Sequence, residues 1–358
     1  MRILMVARRY PPDIRSGTET VFENLYRMAR SRHEVRLVVG YTRARELVPP
    51  EARAVDLRGA SKAQAWARMA AASLDEQRRF GPDVVLANSI EVASFRCPTA
   101  CIVHDLNFGS AQRSAGSKAK EAFYRLRARR LQAVVTVSEA ARKRLTAAGL
   151  PEERLRVIHN GVDLAKFGAV PREIAHEEPE DFVRFAYPSR ILPGKGQHLA
   201  MDALARLRAP YKKRAELVVV GAVADPLFLD QLRIQSYNQP IRIETDVPSI
   251  APYYQQADVV LFPSLMEEGF GYTAVEAMAC GKPVIWFDQP AVREATGGLG
   301  VPVPSGDVDA LRDAMMSLMD DAERREAIGQ EGLAYVRSHY GWDGVWNQYE
   351  QLLEGLVR

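Results

Sequence analysis

Short apolar runs alternate with segments of helical period along this chain, and the scheme occurs twice. In the first half the runs are RILMVA (2–7), VRLVVG (35–40), DVVLAN (83–88), ACIVH (100–104), AVVTVS (133–138) and LRVIHN (155–160). Segments 18–30, 61–79, 116–131 and 138–149 place apolar residues at helical spacing. The second half repeats this with VRFAYPS (183–189), ELVVVG (216–221), IRIET (241–245), DVVLFPS (258–264), PVIWF (283–287) and GVPVP (300–304). Its helical patterns fall at 196–208, 226–236, 273–280 and 307–319. Runs this rich in Val, Ile and Leu on both faces belong in parallel sheets covered by helices on both sides. The expectation is an α/β chain of two doubly wound, Rossmann-like parallel-sheet domains facing a central cleft. Ligands of such sheets bind at the carboxyl ends of the strands.

Length agrees: 358 residues at roughly 150 per domain give two domains. The first is expected over 1–165 and the second over 183–340. Between them KFGAVPREIAHEEPEDF (166–182) is polar, holds two prolines and lacks periodicity, as a linker does. The last segment, WDGVWNQYEQLLEGLVR, predicts an amphipathic helix with Val345, Tyr349, Leu352, Leu353 and Leu356 on one stripe. Three cysteines are too few for a disulfide framework and suit a reducing compartment. No apolar run reaches the ~18 residues of a membrane span, and the apolar stretch after Arg2 is too short for a signal-peptide core. The expected location is cytoplasmic, with a peripheral position at the inner face of the membrane as the alternative.

The net charge of +3 hides a cancellation. Residues 1–165 carry 29 Lys+Arg against 17 Asp+Glu, whereas 166–358 carry 19 against 28. Asymmetry of this kind points to an anionic partner on one side. The positive charge is densest in KAKEAFYRLRARR, with Lys118, Lys120, Arg125, Arg127, Arg129 and Arg130 among Phe123, Tyr124, Leu126 and Leu131. That pattern fits a helix on an anionic membrane surface. It fits equally a solvated helix face whose apolar stripe enters the core. No nucleic-acid motif accompanies the charge.

Four stretches carry candidate chemistry. In EEGFGYTAVEAMACGKPVI (267–285), Glu268 precedes a glycine turn, Gly269-Phe270-Gly271, and Glu276 lies in the helix that follows. Glycines let backbone N–H groups approach a ligand, the helix N-terminus favours an anion, and two carboxylates can accept hydrogen bonds from sugar or ribose hydroxyls. Thr273 and Glu276 also have the spacing of a capping box, which would make Glu276 helix chemistry alone. In YPSRILPGKGQHL (187–199), Arg190 and Lys195 stand where a strand gives way to a helix and can clamp a diphosphate; they are otherwise solvated loop charges. In RRYPPDIRSGTET (8–20), Gly17 permits close backbone approach where a helix opens. His104 and Asp105 follow the strand ACIV, a place from which a histidine can orient a hydroxyl or move a proton. Asp307-Val-Asp309 has a metal-like spacing but reads most simply as a helix cap. No zinc-site cluster, serine-hydrolase elbow or G-x-G-x-x-G is present.

Together these segments resemble the family-4 retaining glycosyltransferases of the GT-B fold. The resemblance runs through RRYPPDIRSGTETVFENLYRMA, His104-Asp105, VSEAARKRL (137–145), VIHNGVD (157–163), SRILPGKG (189–196) and the block from Glu268 to Glu276 before G-K-P-V. It implies that the second domain binds a nucleotide-diphosphate sugar, UDP- or GDP-linked, and the first an acceptor. Arg190 and Lys195 would hold the diphosphate, assisted by backbone at Gly17, Tyr272 and Thr273. Glu276 would bind the ribose hydroxyls. Glu268, with Gly269 and the backbone of Phe270 and Gly271, would bind the donor sugar; His104 would lie near the reacting centre and Val247 near the base. The catalytic set implied is therefore His104, Arg190, Lys195 and Glu268. Neither a cofactor nor a metal is implied, since the departing diphosphate needs charge stabilisation more than a nucleophile. By the same resemblance 341–358 returns to the first domain. Many relatives have two glycines in the first loop, whereas Ser16 precedes Gly17 here.

The reaction expected is transfer of a hexose-type sugar, with retention, to a glycan or lipid-linked hydroxyl in cell-envelope or exopolysaccharide biosynthesis. An epimerase acting on the sugar nucleotide, and a non-catalytic scaffold binding glycan or membrane, are the rival readings.

Overall fold

The computed structural model describes residues 1–11, 17–90, 96–104, 115–168 and 181–358, with side chains from 121 onward in the fourth segment. The chain divides into two compact units, Met1–Gly161 with Trp342–Arg358, and Val162–Gly341.

The first unit is a seven-stranded parallel sheet. Its strands are β1 (Arg2–Ala7), β2 (Glu34–Tyr41), β3 (Arg53–Asp56), β4 (Val84–Ala87), β5 (Thr99–Ile102), β6 (Ala133–Thr136) and β7 (Leu155–Val157), in the order β3-β2-β1-β4-β5-β6-β7. Helices α1 (Gly17–Arg32), α2 (Lys62–Phe80), α3 (Ala115–Ala128) and α4 (Glu139–Ala147) connect them. β4 is buried along its whole length and β1 from Ile3 onward, as expected of strands covered on both faces. Strand β3, RAVD, has no counterpart among the apolar runs. It is an edge strand in which every residue is only half-buried, so no hydrophobic run marks it.

The second unit holds α5 (Leu164–Phe167), then β8 (Val183–Pro188), α6 (Gln197–Ala205), α7 (Ala209–Lys212), β9 (Ala215–Val220), α8 (Pro226–Gln235) and β10 (Ile241–Glu244). It continues with α9 (Ala251–Gln256), β11 (Val259–Phe262), α10 (Tyr272–Ala279), β12 (Val284–Phe287), α11 (Pro290–Thr296), β13 (Val301–Val303), α12 (Val308–Asp320) and α13 (Ala322–His339). Its six strands are parallel in the order β10-β9-β8-β11-β12-β13. Both units are therefore doubly wound, with the strand order reversing between β1 and β4 in one and between β8 and β11 in the other.

Two expectations need adjusting. The first unit ends at Gly161, and 162–168 fold with the second: Val162 bridges Gly341, and the Phe167 ring packs edge-on against Tyr254 at 5.6 Å. The remainder of the expected linker, 169–180, lies outside the described residues. The terminal helix α14 (Trp342–Val357) belongs to the first unit, where Arg32 pairs with Asp343 and Glu350. Its buried stripe is Val345, Trp346, Tyr349 and Leu353; Leu352 and Leu356 are only half-buried, and Trp346 fills the place the stripe omitted. On α3 Phe123 and Tyr124 join the core, as does Leu131 just beyond the helix, leaving Leu126 exposed near Arg125, Arg129 and Arg130. The Lys118 and Lys120 side chains lie outside the description.

Candidate functional site

The reversal between β8 and β11 puts the β8–α6 loop beside the β11–α10 loop, so the two motifs read separately in the sequence become neighbours. The first loop is held by its own backbone. Gln197 donates to the Arg190 carbonyl at 2.7 Å, and the buried Tyr187 hydroxyl donates to the Lys195 carbonyl. The Gly194 carbonyl accepts the N–H groups of both Leu265 and Met266 at 2.9 Å, which ties the loops together. Gly196 has φ +76°, and a Cβ there would lie 2.0 Å from the Pro263 carbonyl oxygen, so the turn that carries Lys195 requires glycine.

Lys195 Nζ lies 2.5 Å from Glu268 Oε1, with the two side chains only 12% and 13% exposed. The Ser264 hydroxyl donates to the same oxygen at 2.6 Å, and the Glu268 N–H donates to Gln289 Oε1 at 3.2 Å. Beyond Glu268, Phe270 is buried against Tyr272 and Tyr340. Gly271, at φ +92°, is the N-cap of α10, so no side chain caps the first turn. The backbone at Tyr272 and Thr273 thus opens a helix whose positive end lies next to an Arg/Lys-bearing loop.

The capping-box reading of Glu276 is excluded. The Thr273 hydroxyl donates to the Pro188 carbonyl at 3.1 Å, one residue beyond the N1 position, and the Tyr254 hydroxyl donates to Glu276 Oε2 at 2.7 Å. Burial raises the Glu276 carboxyl to about 7, opposed by the Tyr254 hydrogen bond and by Lys166. It stands as a partly exposed acceptor whose charge depends on what arrives. Arg190 is exposed, and Val247, which follows Asp246 at φ +56°, is half-buried; neither is hydrogen-bonded to the Lys195–Glu268 cluster among the described residues. Asp307 caps α12 through the Ala310 N–H at 2.9 Å, and Asp309 pairs with Arg206 and Arg312.

His104 and Gly17 belong to the first unit. His104 lines a cavity of about 280 Å³ with Arg8, Arg9, Thr18, Asn88 and Ser89, at the carboxyl ends of β1, β4 and β5. Its Nε2 lies 3.2 Å from Asn88 Oδ1, and burial pulls its pKa down to about 4, so the ring is neutral at pH 7. Gly17 is the exposed first residue of α1. Ser16 and Asp105 lie outside the described residues.

Comparison with known proteins identifies the family and the fold. The sequence profile of "Glycosyltransferase Family 4" matches residues 15–166, and that of "Glycosyl transferases group 1" matches 183–321. The chain belongs to the family-4, group 1 glycosyltransferases. A D-inositol 3-phosphate glycosyltransferase of Kribbella flavida is 28% identical over 226 residues, 59% of this chain and 53% of that protein. The GDP-mannose-dependent monoacylated alpha-(1-6)-phosphatidylinositol monomannoside mannosyltransferase of Corynebacterium glutamicum is 29% identical over 178 residues, 48% of this chain and 46% of that one. The chain thus spans about half the length of the curated relatives it matches. Anabaena HepE, solved with UDP and glucose, superposes with a TM-score of 0.81 at 21% identity, covering 99% of this chain and 100% of that one. At that identity the likeness speaks for the fold, which is GT-B.

Several residues beside the candidate groups of each unit were not singled out in the sequence. Tyr254, Ser264 and Gln289 hold the two glutamates, and Arg8, Asn88 and Ser89 line the first unit's cavity. Asn88 directly follows β4 and Ser264 comes two residues after β11, so the rule that ligands gather at carboxyl strand ends singles them out. Tyr254 and Gln289 come from helices α9 and α11 or their flanks, and only the fold brings them in.

Proposed function

We propose that this chain transfers a hexose-type sugar from a nucleotide-diphosphate sugar to a hydroxyl of a glycan or lipid-linked acceptor, with retention and without a metal. The observation that carries the reading is the Lys195–Glu268 pair at 2.5 Å beside a helix start that no side chain caps. A diphosphate entering there meets Lys195 Nζ and the α10 backbone, with Arg190 exposed on the same loop. It also releases Glu268 to accept sugar hydroxyls, while Glu276 accepts the ribose hydroxyls. As the bond between the anomeric carbon and the diphosphate oxygen breaks, charge grows on the leaving group, and these cations and N–H dipoles stabilise it. The acceptor oxygen adds from the same face, and the leaving phosphate oxygen takes its proton. Neutral His104 orients a hydroxyl rather than supplying charge. The GDP-mannose-dependent relative and HepE solved with UDP-glucose support a nucleotide-sugar donor, and the relatives named for inositol phosphate and phosphatidylinositol monomannoside support a polyol or lipid-linked acceptor.

A panel of UDP-, GDP- and ADP-sugars screened by thermal unfolding tests this. A true donor at about a hundred times its Kd adds roughly 2.7 kcal/mol to stability. If none of the panel stabilises the fold, the reading fails. With the best donor, turnover is expected to need an acceptor, to release the nucleoside diphosphate, to keep the anomeric configuration and to survive EDTA. A sugar nucleotide altered without acceptor and without nucleotide release would make the protein an epimerase instead.

A further inference from the structure

The cavity of the first unit contains two arginines that the transfer reaction leaves without a task. Arg8 and Arg9 follow β1 directly, at the point where the strand order reverses towards β4. Arg8 is half-buried and Arg9 exposed. Among the described residues neither has a carboxylate partner, in contrast to other arginines of this unit. Arg2 pairs with Glu34, Arg30 with Glu51, Arg53 with Asp75, Arg58 with Asp56 and Arg142 with Glu139. Both arginines line the one cavity, and among the described residues it brings them no counter-ion. An anion seated in the cavity would supply one, and the planar fork of Arg matches phosphate and carboxylate alike.

The remaining lining indicates what else the ligand carries. The Ser89 hydroxyl oxygen is buried and has no partner among the described residues. Asn88 and neutral His104 stand beside it, groups that hydrogen-bond hydroxyls without adding charge. Thr18, in the first turn of α1, lines the same cavity and brings the positive end of a 16-residue helix to it. Glu19 lines it too, buried and already engaged. About 280 Å³ is at the lower end of small-molecule pockets and suits one ring rather than a glycan chain.

We propose that this cavity binds the acceptor through an anionic substituent, a phosphate or carboxylate on a sugar or polyol, clasped by Arg8 and Arg9. This rests on the glycosyltransferase reading, with the acceptor in the first unit. The test titrates the full-length protein calorimetrically at low salt with glucose 6-phosphate, glucuronate and glucose, without nucleotide. At least one charged sugar is expected to bind about tenfold or more tightly than glucose, and the ratio between the two charged sugars tells phosphate from carboxylate. Arg8→Gln and Arg9→Gln should each weaken the charged sugar about tenfold or more, the worth of a charge-assisted hydrogen bond. Because Arg9 is exposed, its substitution reports binding rather than folding. Affinity for the nucleotide that best stabilises the protein should be unchanged in both variants. Equal binding of glucose, binding of none of the three at millimolar concentration, or charged-sugar binding unchanged in the variants would overturn the proposal. So would a loss of nucleotide affinity alone, which would make these arginines donor ligands. Failure of every nucleotide sugar to bind would instead strike the glycosyltransferase reading and leave the anion titration standing on its own result.

Discussion

Lys195 and Glu268 neutralise each other with little solvent access, so removing either strands the other's charge. Lys195→Ala should cost about 3 kcal/mol, the lower end for breaking a buried pair because both ends keep some solvent. Glu268→Gln in the same chain should recover most of that loss, since glutamine still accepts the Ser264 hydroxyl. Neither variant nor the double should bind nucleotide normally, and chemical denaturation with nucleotide titration separates the two effects. Recovery of nucleotide affinity in the double variant would show that Lys195 serves only to neutralise Glu268. Glu276 makes a prediction of opposite signs. Its carboxyl sits near 7 when folded against an ordinary 4.5, so the folded state holds its proton more tightly than the unfolded state. The stability this contributes is full below pH 4.5 and is lost as pH rises through 7. Glu276→Gln should therefore raise the Tm of the unliganded protein at pH 8 more than at pH 5. Nucleotide binding runs the other way: ribose hydroxyls donate best to the ionised carboxylate, so affinity should tighten from pH 6 to pH 8 and become flat in Glu276→Gln. His104, at about 4, should contribute nothing to that profile.

The loops after β8 and β11 act as one piece because Gly194 accepts hydrogen bonds from both Leu265 and Met266 and because Gly196 supplies a left-handed turn against Pro263. Gly196→Ala should lose well over the ~1–2 kcal/mol of an unfavourable left-handed residue, since its Cβ meets a backbone oxygen rather than a yielding side chain. It should also weaken nucleotide binding by moving Lys195. Gly59→Ala is the matched control: Gly59 has φ +64° with nothing within 4 Å of the added Cβ, so it should incur the conformational cost alone and bind nucleotide as before. Equal effects of the two would refute the loop argument. At this scale the strands that read plainly in the sequence were those buried on both faces, β4 and β11 among them, because burial on two sides leaves an unbroken apolar run. The half-exposed edge strand β3 left no such run. Glu268, Lys195 and the glycine turn were legible from spacing. The hydrogen bonds that decide their states were not, because Tyr254, Ser264 and Gln289 approach from elements that only the sheet order brings together. The Thr273 capping box failed for the same reason: its hydroxyl finds the Pro188 carbonyl, 85 residues away in sequence.

At the scale of the whole chain, the charge asymmetry between the first 165 residues and the rest was visible from counting, but its use was not. No helix among the described residues is long and apolar enough to cross a membrane. On α3 the aromatic residues that suggested insertion are committed elsewhere: Phe123 stacks on Trp66 at 5.5 Å, and Tyr124 is buried. Among the described residues, Arg125 on α3 and Arg129 and Arg130 just beyond it face outward around the exposed Leu126. A surface of this kind attracts anionic lipid at about 1 kcal/mol per basic residue and has little apolar area to bury. Association with vesicles containing anionic lipid should therefore be weak and electrostatic. It should fall steeply as salt shortens the screening length below about 10 Å, be absent on neutral vesicles, and drop when Arg125, Arg129 and Arg130 are replaced together by alanine. Binding that persists in high salt would mean that apolar insertion dominates, and that residues other than these arginines carry the contact.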